Sequence, residues 1–148
     1  MSVVLVRVLM ARHKSVGTAA TAKRQFMIEG TLIAESVRAG AELEGIGLVI
    51  RKVRRSPQGE ASAGQPEVWT LIEFEAEERD AGALAGALAT VLDQQHGWYA
   101  DFRTPDETFV VYSGRVFRYS RGDGLGRAEA AAYGRSVGVP EDQLDWPV

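Results

Sequence analysis

Residues able to do chemistry are thinly spread in this chain. His96-Gly97-Trp98-Tyr99-Ala100-Asp101 is the one stretch that gathers an imidazole, a phenol and a carboxylate. In an extended strand His96 and Asp101 stand ~17 Å apart, so they form no acid–base pair unless the chain bends. His96 reads more simply as the last polar residue of a helix, where a cation is favoured. Gly134-Arg135-Ser136-Val137-Gly138 fits the G-x-S-x-G pattern of a nucleophile elbow. That motif needs a strand before its serine and a helix after it. Ser136 instead falls in the last turn of an expected helix, and no matching acid and histidine follow. Arg121-Gly122-Asp123-Gly124-Leu125-Gly126-Arg127 lies between a strand and a helix, where phosphate loops sit. Its spacing is not G-x-G-x-x-G, and Asp123 would repel a phosphate, so it reads as a turn capped by Asp123.

Composition removes further classes. There is no cysteine, which excludes disulfides, thiolate metal sites and cysteine nucleophiles. The two histidines, His13 and His96, are far apart, which excludes a multi-histidine metal site. No cofactor motif is present, so neither metal nor cofactor is expected. The net charge of −3 is a sum of unlike parts: residues 1–60 hold ten Lys or Arg and five acids, residues 61–148 seven and fifteen. Arg51, Lys52, Arg54 and Arg55 form a local basic run that, with the aromatic strand Val116-Phe117-Arg118-Tyr119, raises RNA binding on an open sheet. The acidic total and the missing Gly-aromatic order argue against nucleic acid. The apolar N-terminus lacks a basic n-region and cleavage site, and no run approaches a membrane span of ~18 apolar residues. The chain reads as cytoplasmic, with no membrane partner.

The elements that must position any site follow from periodicity. Val3 to Leu9 reads as a strand buried on both faces and residues 13–24 as a loop. Residues 25–37 alternate well enough at period two to favour a strand. As a helix they would give the strand–helix–strand–strand–helix–strand order of a ferredoxin-like fold. Ala39-Gly40-Ala41 is a turn, Ile46 to Val53 a strand, and residues 54–66 a mobile loop. Val68 to Glu75 alternates cleanly, with Val68, Thr70, Ile72 and Phe74 on one face and Trp69, Leu71, Glu73 and Glu75 on the other. Asp80 opens a helix that Gly97 stops. Trp98 to Arg103, Thr108 to Tyr112 and Arg115 to Ser120 form a meander. A final helix runs from Gly126 to Val137, and a tail containing Trp146 packs back on the body. The expected architecture is one α+β domain over residues 1–148: a mainly antiparallel sheet with two helices on one face.

The meander is where a site is expected. With Ser113-Gly114 as a two-residue hairpin turn, Tyr112 sits opposite Arg115 and Val110 opposite Phe117. A four-residue loop at 104–107 sets Arg103 opposite Thr108 and Asp101 opposite Val110. One face is then apolar: Trp98, Ala100, Phe102, Phe109, Val111 and Val116. The other gathers Tyr99, Asp101, Arg103, Tyr112, Arg115, Phe117 and Tyr119. Rings beside guanidinium groups suit a partner or self-association surface, a planar or anionic small ligand, or simply a covered sheet face.

Gly97-Trp98-Tyr99-Ala100-Asp101-Phe102, Phe109-Val110-Val111-Tyr112, Gly114-Arg115-Val116-Phe117-Arg118-Tyr119 and Gln143-Leu144-Asp145-Trp146-Pro147 resemble segments of small uncharacterised proteins of high-GC actinobacteria. The resemblance covers roughly residues 97–147. It implies a stand-alone cytoplasmic domain and carries no activity across. The expected function is a non-enzymatic protein-interaction or binding module, acting as a homo-oligomer or as an accessory or immunity-type protein that masks a partner. The alternative is a small-molecule-binding or catalytic domain using Tyr99, Asp101, Arg103 and Arg115.

Overall fold

The computed structural model describes residues 27–58 and 64–148, together with the backbone of Val6–Arg7. The expected N-terminal strand beyond those two residues, and the expected loop at 13–24, lie outside the described residues. Nine elements organise the rest: β1 (Val6–Arg7), β2 (Met27–Ile33), β3 (Val49–Pro57), β4 (Val68–Glu77), α1 (Ala81–Val91), β5 (Ala100–Arg103), β6 (Glu107–Tyr112), β7 (Arg115–Ser120) and α2 (Gly124–Ser136). No helix among the described residues is long and apolar enough to cross a membrane.

The fold is α+β, but the strands form two sheets rather than the one expected. One has the order β1-β5-β6-β7, antiparallel except for the parallel β1–β5 pair; the other is antiparallel, β2-β4-β3. Because Met27–Ile33 is a strand, the helix that a ferredoxin-like order requires there is absent.

The meander has the expected register: Tyr112 pairs with Arg115, Val110 with Phe117, Arg103 with Thr108 and Asp101 with Val110. Its turns explain why. Gly114, the second residue of the two-residue turn, adopts φ 72°, a left-handed conformation that glycine takes without a Cβ penalty. Thr104 closes the other loop, its amide donating to the Glu107 carbonyl (2.9 Å) and its hydroxyl accepting from the Glu107 amide (3.1 Å).

The two helices lie on opposite faces of the meander, not together on one. Leu84, Ala85, Leu88 and Leu92 pack with Trp98, Ala100, Phe102, Phe109 and Val111, and the β2–β4 side chains Ile28, Ile33, Trp69 and Phe74 complete that core. Ala130 and Ala131 of α2, with Val139, Leu144 and Trp146 of the tail, pack with Tyr99, Val110, Tyr112 and Tyr119. Side-chain alternation therefore feeds two cores from one sheet.

Several boundaries differ from expectation for identifiable reasons. α1 ends at Val91 rather than near Gly97, because Leu92 turns extended and bridges Val37, while the Asp93 amide donates to the Ser36 carbonyl (2.8 Å). Asp80 precedes α1 without a capping hydrogen bond from its side chain. The strand expected from Ile46 begins at Val49 and continues to Pro57, taking up the start of the expected loop. In β4, Trp69 and Leu71 are buried on one face and Phe74 and Ala76 on the other, although the pairing with β2 is continuous. The smaller sheet is thus covered on opposite faces at its two ends. Glu35 ties the turn after β2 to β4: its carboxylate accepts from the Thr70 amide (2.7 Å) and hydroxyl (2.8 Å).

Asp123 caps α2 as expected, its Oδ1 accepting from the amides of Leu125 (3.1 Å) and Gly126 (3.0 Å). Replacing it with alanine is expected to lower stability by about 0.5–2 kcal/mol, measured by denaturant unfolding, with Asp123→Asn nearly neutral. Equal losses for both substitutions would refute the capping role.

Candidate functional site

All seven residues expected to form a site do share one face of the meander, yet that face is an interior. Tyr99, Asp101, Tyr112 and Tyr119 are buried, Arg103 and Phe117 are half-buried, and Arg115 is exposed. The covering layer is α2 and the tail. Its small residues permit close approach: a Cβ on Gly134 would lie 2.6 Å from the Tyr112 hydroxyl, and one on Gly126 would lie 2.5 Å from the Tyr119 Cβ.

The three tyrosine hydroxyls are consumed by that layer. Tyr99 donates to the Gln143 carbonyl (3.0 Å), Tyr112 to Ala130 (3.1 Å) and Tyr119 to Pro147 (3.1 Å). Arg127 of α2 donates to the carbonyls of Trp146 and Leu144. Trp146 itself stands edge-on to Tyr99, ring centroids 5.7 Å apart. The aromatic face is a docking surface whose occupant belongs to the same chain.

Burial also sets the ionisation of these rings. Desolvation pushes the Tyr112 phenol well above its ordinary value of 10.0, with Tyr133 and Asp101 adding to the rise. Burial raises Tyr119 too, opposed by its hydrogen bond to Thr108 and by Arg127. Folding therefore favours the protonated phenols. The stability they contribute is complete below the unfolded value near pH 10 and is lost as pH climbs toward the folded values. Alkaline titration of the unfolding free energy should show this fall above about pH 10, with a shallower slope in Tyr112→Phe. An unchanged slope would contradict it.

At the hairpin end three rings converge: Tyr112 and Tyr133 (4.9 Å), Phe117 and Tyr133 (5.5 Å), Tyr112 and Phe117 (5.9 Å). The Arg115 guanidinium lies over Phe117 (4.9 Å) and Tyr133 (4.8 Å), a cation–π cap. Tyr133 was not foreseen as part of this cluster, because it arrives from α2. Beside the rings is an open cleft of ≈ 400 Å³ that Asp93, Gln94, Tyr112, Ser113, Tyr133 and Val137 help to line.

The remaining candidates separate. His96 is exposed, in a left-handed conformation (φ 64°), whereas Asp101 is buried. The Ser136 hydroxyl donates locally to the Tyr133 carbonyl (2.6 Å) at the end of α2. Among the described residues no cluster of His, Cys, Asp or Glu is arranged to hold a metal ion. The basic run and the aromatic strand that together suggested RNA binding fall in different sheets.

Among the described residues, the edge strand β3 is the most continuously exposed strand. All but one of its nine residues are exposed, including Ile50 (59%), Val53 (58%) and Val49 (45%). Arg51 and Lys52 reach back to Glu75 and Glu73 of β4, the latter pair at 3.8 Å. Arg54 and Arg55 make no ion pair with a described residue. A bulge separates Ile50 from Lys52. Behind the strand lies an apolar groove of ≈ 550 Å³, formed by Leu32, Leu43, Ile46, Leu48, Ile72 and Phe74 with Ile50 at its margin. Sequence reasoning noticed the cations of β3 but not Val49, Ile50 and Val53; apolar residues interleaved with basic ones in a strand were the available signal.

Comparison with protein-family models, with curated proteins and with solved structures finds no match.

Proposed function

We propose that this chain is a non-enzymatic protein-binding module that takes an extended segment of a partner onto the open edge of β3. The carrying observation is the strand itself: nine residues long, at the edge of its sheet among the described residues, with Val49, Ile50 and Val53 exposed. An edge strand offers unpaired backbone donors and acceptors, and strand addition uses them for affinity while pockets beside the strand select side chains. The bulge and the cations are the devices that keep such an edge from pairing indiscriminately.

Selection of random displayed peptides on the full chain, followed by amide hydrogen exchange of the complexes, tests this. Selected peptides should slow exchange within residues 49–57, and Ile50→Thr/Val53→Thr should lose them while keeping its melting temperature. Peptides that protect the hairpin-end cleft instead, or no enrichment at all, would refute the proposal.

A second reading is favoured by the groove alone. Its ≈ 550 Å³ is within the size range of small-molecule sites, and its lining is mostly apolar. A thermal-shift screen with apolar metabolites reads it out, because a bound ligand raises stability by RT ln(1 + [L]/Kd).

A further inference from the structure

We infer that residues 139–147 are an exchangeable element, and that the site beneath them also takes the same segment of a second copy of this chain. The segment is held as a bound peptide is held. Its Leu144 and Trp146 side chains are buried anchors. Four of its main-chain carbonyls accept from side chains of the body: Gln143 from Tyr99, Leu144 and Trp146 from Arg127, and Pro147 from Tyr119. A glycine makes the seat, since a Cβ on Gly134 would lie 2.8 Å from the Leu144 Cδ2. None of these contacts requires that the segment and the site belong to one molecule. The occupant that the site demonstrably fits is this segment, so a second copy is the partner whose chemistry matches.

The connection supplies a hinge. α2 ends at Ser136, the Val139 amide donates back to the Gly134 carbonyl (2.9 Å), and just before it Gly138 takes φ 88°. Glycine passes from there to an extended backbone with no Cβ penalty in either state. Gly138 is exposed, and nothing lies within 4 Å of a Cβ built on it. Pro140 then holds the backbone extended, at φ −60° and ψ 146°. The Arg135–Glu141 ion pair spans the hinge, but both side chains are largely exposed, where such pairs contribute little.

Docking is also imperfect. The Gln143 Oε1 and Nε2 and the Trp146 Nε1 are buried without a hydrogen-bond partner among the described residues. Release returns them to water, which offsets part of the packing lost. A segment exchanged between two copies regains every contact beyond the hinge. The closed monomer and the exchanged dimer therefore differ mainly in the hinge conformation and in the entropy of association. Strain placed on the closed hinge should shift the balance toward the dimer.

The test uses the full chain carrying Gly138→Ala. Alanine strains the closed turn at its positive φ, whereas an extended hinge accepts it. Sedimentation velocity should show self-association at least tenfold stronger than in the wild-type chain. An excess of a synthetic peptide of residues 139–148 should return that dimer to monomer by occupying the site. The same peptide with Trp146→Ala should not. A monomer at every concentration, with only a lower melting temperature, would make the segment a fixed part of the core and overturn the exchange. A dimer that the peptide leaves intact would place the contact on another surface and overturn it equally.

Discussion

Replacing Trp146 with alanine should lower the unfolding free energy by about 3–5 kcal/mol, the cost of emptying a large aromatic site in a core. The indole is almost fully buried and stands edge-on to Tyr99. Its loss frees more than its own contacts. The tail that carries it also supplies the carbonyls at Gln143 and Pro147 that accept from Tyr99 and Tyr119. With the tail loosened, the meander's aromatic face becomes solvent-accessible, and binding of a hydrophobic dye should rise with the fall in stability. Trp146→Phe should recover most of the loss. A drop of under about 1 kcal/mol, the size of a typical surface change, would mean that the tail does not close this face.

Trp69→Ala carries a comparable effect through the other core. Trp69 of β4 packs edge-on to Trp98 at the entry to β5, ring centroids 5.6 Å apart, so this pair joins the two sheets. The expected cost is again about 3–5 kcal/mol. Its buried Nε1 finds no acceptor among the described residues, and an unsatisfied buried donor costs about 1–3 kcal/mol. Trp69→Phe removes that donor and keeps most of the apolar volume, so it should cost far less than alanine, in urea unfolding as well as in melting temperature. Equal losses for phenylalanine and alanine would show that the indole nitrogen is satisfied in solution.

How much of this could be read beforehand depends on the residue pattern at each place. The meander's register was legible because Ser113-Gly114 and the loop at 104–107 leave little freedom, and Tyr112 and Arg115 do pair. Its aromatic face was legible as a face, but not as an interior. Tyrosines carry both a ring to bury and a hydroxyl to satisfy, so the same residues suit a binding surface and a core whose carbonyls come from elsewhere. The covering partner was hard to see because α2 meets the sheet through Ala130, Ala131 and Gly134, small residues that make little hydrophobic signal. The strand expected over Val68 to Glu75 forms with its faces alternating as expected, but alternation alone does not say which face is buried, and Trp69 and Phe74 enter the core from opposite faces. The asymmetry of charge between the chain's halves was real but coarse: four of the ten cations of residues 1–60 gather on β3, two of them facing carboxylates of β4.

The closed aromatic face and the open edge of β3 lie on different sheets, and amide hydrogen exchange distinguishes them in one experiment. Exchange is followed residue by residue with and without a saturating extended peptide drawn from the display selection. Slowed exchange within residues 49–57, with the amides of residues 112–119 and 139–147 unchanged, is the predicted result. Slowing at residues 112–119 and 139–147 with β3 unchanged would contradict it, and would return the binding site to the meander.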